Sequence, residues 1–114
     1  MNIVDKNISL DTLKDMSEKM HNHFVKAVVD IKKHIMVVDA DLHADEEEFL
    51  IDQGSSQEDL WGINLYPEHF RKPEFIEFDS MINIRPSWGN KSRYVESELT
   101  RKEIIKIVTK LVKS

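Results

Sequence analysis

The chain contains no cysteine. That excludes disulfides, thiolate zinc sites and thiol catalysis, and it fits a reducing cytosol. Basic residues are not in excess either: 16 Lys and Arg face 21 Asp and Glu, for a formal net charge of -5. Phosphate neutralisation supplies most non-specific affinity for nucleic acid, so general nucleic-acid binding is not expected. No apolar run approaches the length of a membrane span, and the first thirteen residues hold acidic and polar groups instead of the apolar stretch of a secretory signal. The expectation is a cytoplasmic protein with no membrane attachment. Glycine is scarce, with three in all. Lys91-Ser92 follows Gly89, but the longer glycine span of a phosphate-binding P-loop is missing, as is its strand-loop-helix setting.

What is present is a globular mixture of 114 residues, 40% apolar and 32% charged. A chain of this size buries roughly two-thirds of the surface its unfolded form exposes, so it needs no disulfide or metal as a staple. One domain over residues 1–114 is expected, without internal repeats or low-complexity segments.

Hydrophobic spacing supplies the elements. Ile3 and Val4 suit a short first strand. Ser9 offers an N-cap to a helix running from Leu10 to His21, with Leu10, Leu13, Met16 and Met20 at three- and four-residue steps. From Val25 the period becomes two, and Val25, Ala27, Val29 and Ile31 share a face. A second β run follows at His34 to Ala40, so Lys32-Lys33 marks a hairpin turn. Leu42 to Gln53 reads as a helix with acids in its first turn, Leu42 as a staple and Gly54 as the left-handed stop. Leu60 to Tyr66 alternates as a strand, with Trp61, Ile63 and Leu65 on one face. Residues 76–85 alternate more regularly still. Ile76, Phe78, Ser80, Ile82 and Ile84 lie on one side; the segment is one long strand or two broken at Ser80, the unbroken alternation favours one, and Pro86 ends it. The last helix covers Glu98 to Val112, with Ser97 and a Thr100–Glu103 capping box as competing starts and Ile104, Ile107, Val108 and Leu111 as its buried stripe. The fold class is therefore α+β: an antiparallel or mixed β-sheet of about four to five strands, with three helices packed against one face.

Four stretches carry a resemblance. They are Leu42-His43-Ala44-Asp45-Glu46-Glu47, the Gly54-Ser55 pair leading to Leu60-Trp61-Gly62-Ile63-Asn64-Leu65-Tyr66-Pro67, the run from Ile76 to Pro86, and Gly89-Asn90 followed by Ser92-Arg93. Together they resemble a small prokaryotic family catalogued as a domain of unknown function. The resemblance spans nearly the whole chain and brings no activity with it. It also implies a glycine in the first hairpin turn, where this chain has Lys33-His34.

Three constellations could carry chemistry. The first is acidic: Asp39, Asp41, Asp45, Glu46, Glu47 and Glu48, with His43 among them. A calcium loop starting at Asp39 would need glycine at its sixth position and glutamate at its twelfth, where Ala44 and Leu50 stand, so that pattern fails. A zinc or manganese site of His43 with carboxylates stays open; the stronger reading is that acids at a helix N-terminus complement its dipole without any metal, and no metal or other cofactor is expected. The second is the polar face of a hairpin made by residues 60–66 and 75–85. It would place Asn64 and Tyr66 beside Glu77, Asp79, Asn83 and Arg85, with Gly62 leaving room for close approach by a backbone or a ligand. The third is the loop of Asn90, Lys91, Ser92 and Arg93 after Gly89, whose amides and cations suit an anion. Of the tryptophans, Trp61 reads as core and Trp88 as exposed. His21, His23, His34 and His69 find no partner in the sequence.

No complete catalytic set is legible. The reading is a small binding or protein-interaction module, with a protein partner or a homo-oligomer as its company. The ligand-binding candidates are Asn64, Tyr66, Asn83, Asn90, Lys91, Ser92 and Arg93. The alternative is a small hydrolase or nuclease-like enzyme on an anionic substrate. In it His43 pairs with Asp45 or Glu46 and with Asp79 as base, and Arg85 and Arg93 hold the anion.

Overall fold

The computed structural model describes residues 1–20 and 23–114. Strand β1 (Asn2–Val4) is followed by β2 (Ile8–Ser9), α1 (Leu10–Glu18), β3 (Val25–Asp30), β4 (Ile35–Val38), α2 (His43–Asp52), β5 (Leu60–Leu65), β6 (Ile76–Glu77), α3 (Glu98–Leu111) and β7 (Val112–Lys113). Five strands form an antiparallel sheet in the order β1-β4-β3-β5-β6. A separate parallel pair joins β2 to β7. This is the expected α+β class with three helices.

The helices divide between the two faces of the sheet instead of sharing one. Val25, Ala27, Val29, Met36, Val38, Ile63 and Leu65 pack with Leu13 and Met16 of α1 and with Ile104, Ile107, Val108 and Leu111 of α3. Val28 and Val37 point the other way, onto Leu50 of α2 and Leu60. Strand β3 is apolar on both sides at Val28, and a strand that is apolar on both sides needs cover on both.

Local chemistry sets the ends. Ser9 accepts from the Thr12 amide at 3.1 Å and starts α1. That helix stops at Glu18, short of the expected His21, and His21 itself lies outside the described residues. Ser97, not the Thr100–Glu103 box, caps α3 by accepting from the Thr100 amide at 3.2 Å. Leu42 is the N-cap of α2 and stays 55% exposed, so it is no staple, and no side chain caps that end. In the β3–β4 turn the Asp30 carboxylate accepts from the Lys32 and Lys33 amides, both at 2.9 Å, and from the Ser55 hydroxyl at 2.6 Å. His34 holds φ 59 there, the left-handed region that glycine enters at least cost.

The long strand over 76–85 does not exist. Only Ile76 and Glu77 pair with β5, opposite Leu65 and Asn64. The chain then turns at Met81–Asn83 and again at Pro86–Trp88. The alternation has a different cause. The polar members Ser80, Asn83 and Arg85 are the buried ones, while Met81 is 65% and Ile84 39% exposed. Ile76 and Phe78 pack toward α1 and α3, and Ile82 packs toward α2. Gly62 explains the departure. A Cβ there would sit 2.5 Å from the Ser80 Cβ, so the segment crosses β5 where only glycine admits it.

The edge of β5 is finished by side chains. The Asn83 amide accepts from the Gly62 N–H at 2.9 Å and donates to the Gly62 carbonyl at 3.0 Å, which reproduces the two bonds a neighbouring strand would make. Arg85 donates to the Leu60 carbonyl and to the Gln57 carbonyl.

Candidate functional site

The β3–β5–β6 register sets Lys26 opposite Asn64 and Asn64 opposite Glu77. Directly opposed residues share a face, so three polar side chains cross the sheet in one row. The N-terminal turn of α2 lies over this row. A cleft of about 490 Å³ opens between them, lined by Phe24, Lys26, His43, Asn64, Tyr66, Glu77, Asp79, Ser80, Met81 and Arg93 among others. Its volume is within the range of small-molecule sites.

Most polar atoms in the cleft are already paired. Lys26 Nζ donates to the Asp41 carbonyl at 2.5 Å. Glu77 Oε1 accepts from Asn64 Nδ2 at 2.8 Å and from the Tyr66 hydroxyl at 3.0 Å. Asn64 Nδ2 also reaches the Asp79 carbonyl at 3.2 Å. Arg93 Nε and Asp79 Oδ1 form an ion pair at 2.5 Å, which holds the guanidinium pKa above its ordinary value. Partial burial, and then the Glu77 carboxylate beside it, push the Tyr66 hydroxyl up to about 12, so it stays a phenol at neutral pH. Phe24 meets the Tyr66 ring edge-on at 5.2 Å between centroids.

Two groups are left over. Asn64 is 4% exposed, and its Oδ1 has no hydrogen-bond partner while the neighbouring His43 ring is neutral. An orphaned buried acceptor costs about 1–3 kcal/mol, so it marks a place where a donor is wanted. The other is His43. Its Nε2 lies 2.8 Å from the Ile63 carbonyl, which can only accept, so Nε2 carries the hydrogen. Burial lowers the ring's pKa and Lys26 adds to this. The Ile63 carbonyl, Asp79 and Asn64 pull the other way without reversing the shift. The neutral ring therefore keeps its lone pair on Nδ1. Long-range ¹H–¹⁵N spectra at pH 7 should show this Nε2–H tautomer, with the ring titrating below 6.5. An Nδ1–H tautomer would refute the assignment.

The other expected site residues lie elsewhere. Asp45 is exposed and lines a shallow depression with Asp39, Asp41 and Glu48. Glu46, one residue on, is fully buried, with both carboxyl oxygens unpartnered. Arg85 stacks on Trp61 at 4.4 Å and faces Trp88 at 5.5 Å, outside the cleft lining. Asn83 is taken up by the β5 edge. Asn90 donates to the carbonyls of Asn83, Ser92 and Tyr94 and accepts from the Glu96 amide. Lys91 and Ser92 do cradle an anion, but it is the chain's own: the Glu96 carboxylate accepts from the Lys91 amide at 3.0 Å and the Ser92 hydroxyl at 2.6 Å. The Ser92 bond, with help from the neighbouring amides, holds the Glu96 pKa down. Among the described residues no group of three or more His, Asp and Glu is placed to hold a metal ion.

The cleft thus gathers His43, Asn64, Tyr66, Asp79 and Arg93, and leaves out Asp45, Glu46, Arg85, Asn83, Asn90, Lys91 and Ser92. Lys26 and Phe24 join it without having been singled out. The signal for Lys26 was its position between Val25 and Ala27 on a strand whose register against β5 could not be read.

Among the described residues no helix is long and apolar enough to cross a membrane. Neither the curated proteins nor the solved structures contain a match to this chain. A family model described as "Protein of unknown function (DUF5674)" matches residues 2–111, and the chain belongs to that family.

Proposed function

We propose that this protein is a small binding module whose cleft takes a polar molecule through a hydrogen-bond-donating head, such as an amine, an amide or a guanidinium group. The observation that carries the reading is the unpartnered Oδ1 of buried Asn64, lining the same cleft as neutral His43. Both free groups accept, so the matching ligand donates. Glu77 and Asp79 add negative charge to the same wall, which suits a cationic donor, while Lys26 and Arg93 are engaged with oxygen atoms.

A hydrolase or nuclease-like reading draws less support. It wants an ionised acid from α2 and a free arginine beside His43. Glu46 is buried with its pKa raised, and Arg85 lies outside the lining.

Methylammonium, methylguanidinium and acetamide test the proposal, with inorganic phosphate as contrast. In ¹H–¹⁵N spectra at pH 7.5, at least one of the three donors should give saturable shifts at the Asn64 side-chain amide and the His43 ring. Binding should weaken as the pH falls and Nδ1 takes up a proton. Shifts with phosphate alone, or with no probe at all, would overturn the reading.

A further inference from the structure

Strand β6 is the last of the sheet, and its outer side carries no strand. The Tyr66 amide donates to the Phe75 carbonyl at 2.9 Å, and Glu77 stands opposite Asn64. Backbone groups on a strand point alternately left and right, so those of Ile76 and Phe78 face away from β5. Among the described residues they meet no backbone partner. An unpaired edge of this kind is a template for an added strand.

Hollows flank the edge on both sides. On one side a groove of about 460 Å³ runs between β6 and α3, with Phe70, Phe75, Ile76, Phe78, Ile105 and Val112 in its wall. On the other a second hollow includes Tyr66, His69, Tyr94 and the carboxylates of Glu74 and Glu77, and it shares Ile76 and Phe78 with the first. A pleated strand laid on the edge would send alternate side chains into the two. The charged side chains of the apolar groove are Arg71, Lys72 and Lys113, all cations, on a chain whose net charge is -5. Local charge here opposes the charge of the whole.

We infer that the β6 edge docks an extended acidic peptide segment from a partner protein. The segment adds a strand along Ile76–Phe78; every second side chain enters the groove, an apolar one beside Ile105 and acidic ones two residues to either side against Arg71, Lys72 and Lys113, while small polar side chains take the other hollow, where Glu74 and Glu77 stand. The site is separate from the Asn64 cleft and stands or falls without it. A second copy of this chain fits less well, because pairing β6 with its own symmetry mate would bring two cationic rims together.

The probe is a capped, fluorescein-labelled Glu-Ser-Val-Ser-Glu-Ser peptide, which sets both glutamates and the valine on one face of a strand, with Lys-Ser-Val-Ser-Lys-Ser as its control. Fluorescence anisotropy should show saturable binding of the first and none of the second. Methylating the peptide amides that face the edge should abolish binding. The doubly substituted R71E/K72E variant changes two exposed residues and should fold; it should weaken the glutamate peptide by about tenfold and admit the lysine peptide. Binding of both peptides alike, indifference to methylation, or no binding by either peptide would overturn the inference. So would a dimer in sedimentation that R71E/K72E strengthens, since it would give the groove to a second copy.

Discussion

Replacing Glu46 with glutamine should stabilise the protein at pH 8 by several kcal/mol, and the gain should fade as the pH is lowered to 5. Glu46 is 0% exposed, and neither carboxyl oxygen has a well-formed hydrogen bond, although the Ala40 backbone amide acts on the group. Burial raises its pKa from 4.5 to about 10; the Ala40 backbone and the charges of Lys26 and the N-terminus only partly oppose the rise. The sign follows from proton counting. Between these two values the unfolded chain has lost the proton and the folded chain keeps it, so folding takes one up. Stability therefore falls as pH rises through that window. At pH 8 the ceiling of the cost is about 5 kcal/mol, at about 1.4 kcal/mol per pH unit above the ordinary value. Glutamine keeps the shape, stays neutral and removes the dependence. Urea midpoints of the two proteins at pH 5 and pH 8 measure it. A variant no more stable than the parent at pH 8 would show that Glu46 is ionised or partnered in solution.

The second large effect is at Asn90. Its Nδ2 is shared among three carbonyls, those of Tyr94 at 2.7 Å, Asn83 at 2.8 Å and Ser92 at 3.0 Å, and its Oδ1 accepts from the Glu96 amide at 2.9 Å. Alanine would leave these backbone groups without that partner, at a cost of about 3–5 kcal/mol, because buried unmet donors and acceptors carry their full desolvation penalty. Aspartate is nearly isosteric but turns an acceptor toward three acceptors, so N90D should be at least as unstable as N90A. The loss should spread. The Asn83 carbonyl is one of the three, and the Asn83 side chain finishes the β5 edge at Gly62. Guanidinium denaturation reads the stability, and the Gly62 amide resonance reads the edge. A loss below about 1 kcal/mol for N90A would mean that water replaces the asparagine freely.

The sequence made β3, β4, β5, α1 and α3 legible, because there the apolar residues are mostly the buried ones and their spacing follows the element; α2 was legible from its acidic first turn and Gly54, although one of its buried residues is Glu46. It failed over residues 76–86 for the opposite reason. Asn83 and Arg85 are buried polar groups on the side the alternating pattern gives to solvent, and Ile84, on the side it gives to the core, is exposed. Period-two spacing cannot separate a strand from a ribbon of turns held by amides. Gly62 was the one clue, a glycine inside a strand where another segment comes close. The candidate site was half legible. Asn64, Tyr66 and Asp79 follow from pairing β5 with the start of the 76–86 segment. Lys26 needed the β3–β5 register, and the loss of Asn83 and Arg85 from the site needed the turn after Asp79. In the loop after Gly89 the Lys91 amide and the Ser92 hydroxyl do face a carboxylate, but it belongs to Glu96, only a few residues further on.

The parallel pair of Ile8–Ser9 with Val112–Lys113 has a kinetic consequence. It is a clasp between distant parts of the chain, and loop entropy delays such contacts until much else is in place. Each side contributes two residues, so it should be among the first pairings to fray. Ser9 leads directly into α1 and Val112 directly follows α3, so one fraying event loosens the roots of both helices covering that face. Amide exchange at the start of α1 and the end of α3 should therefore rise and fall in step, although covalently most of the chain's length lies between them.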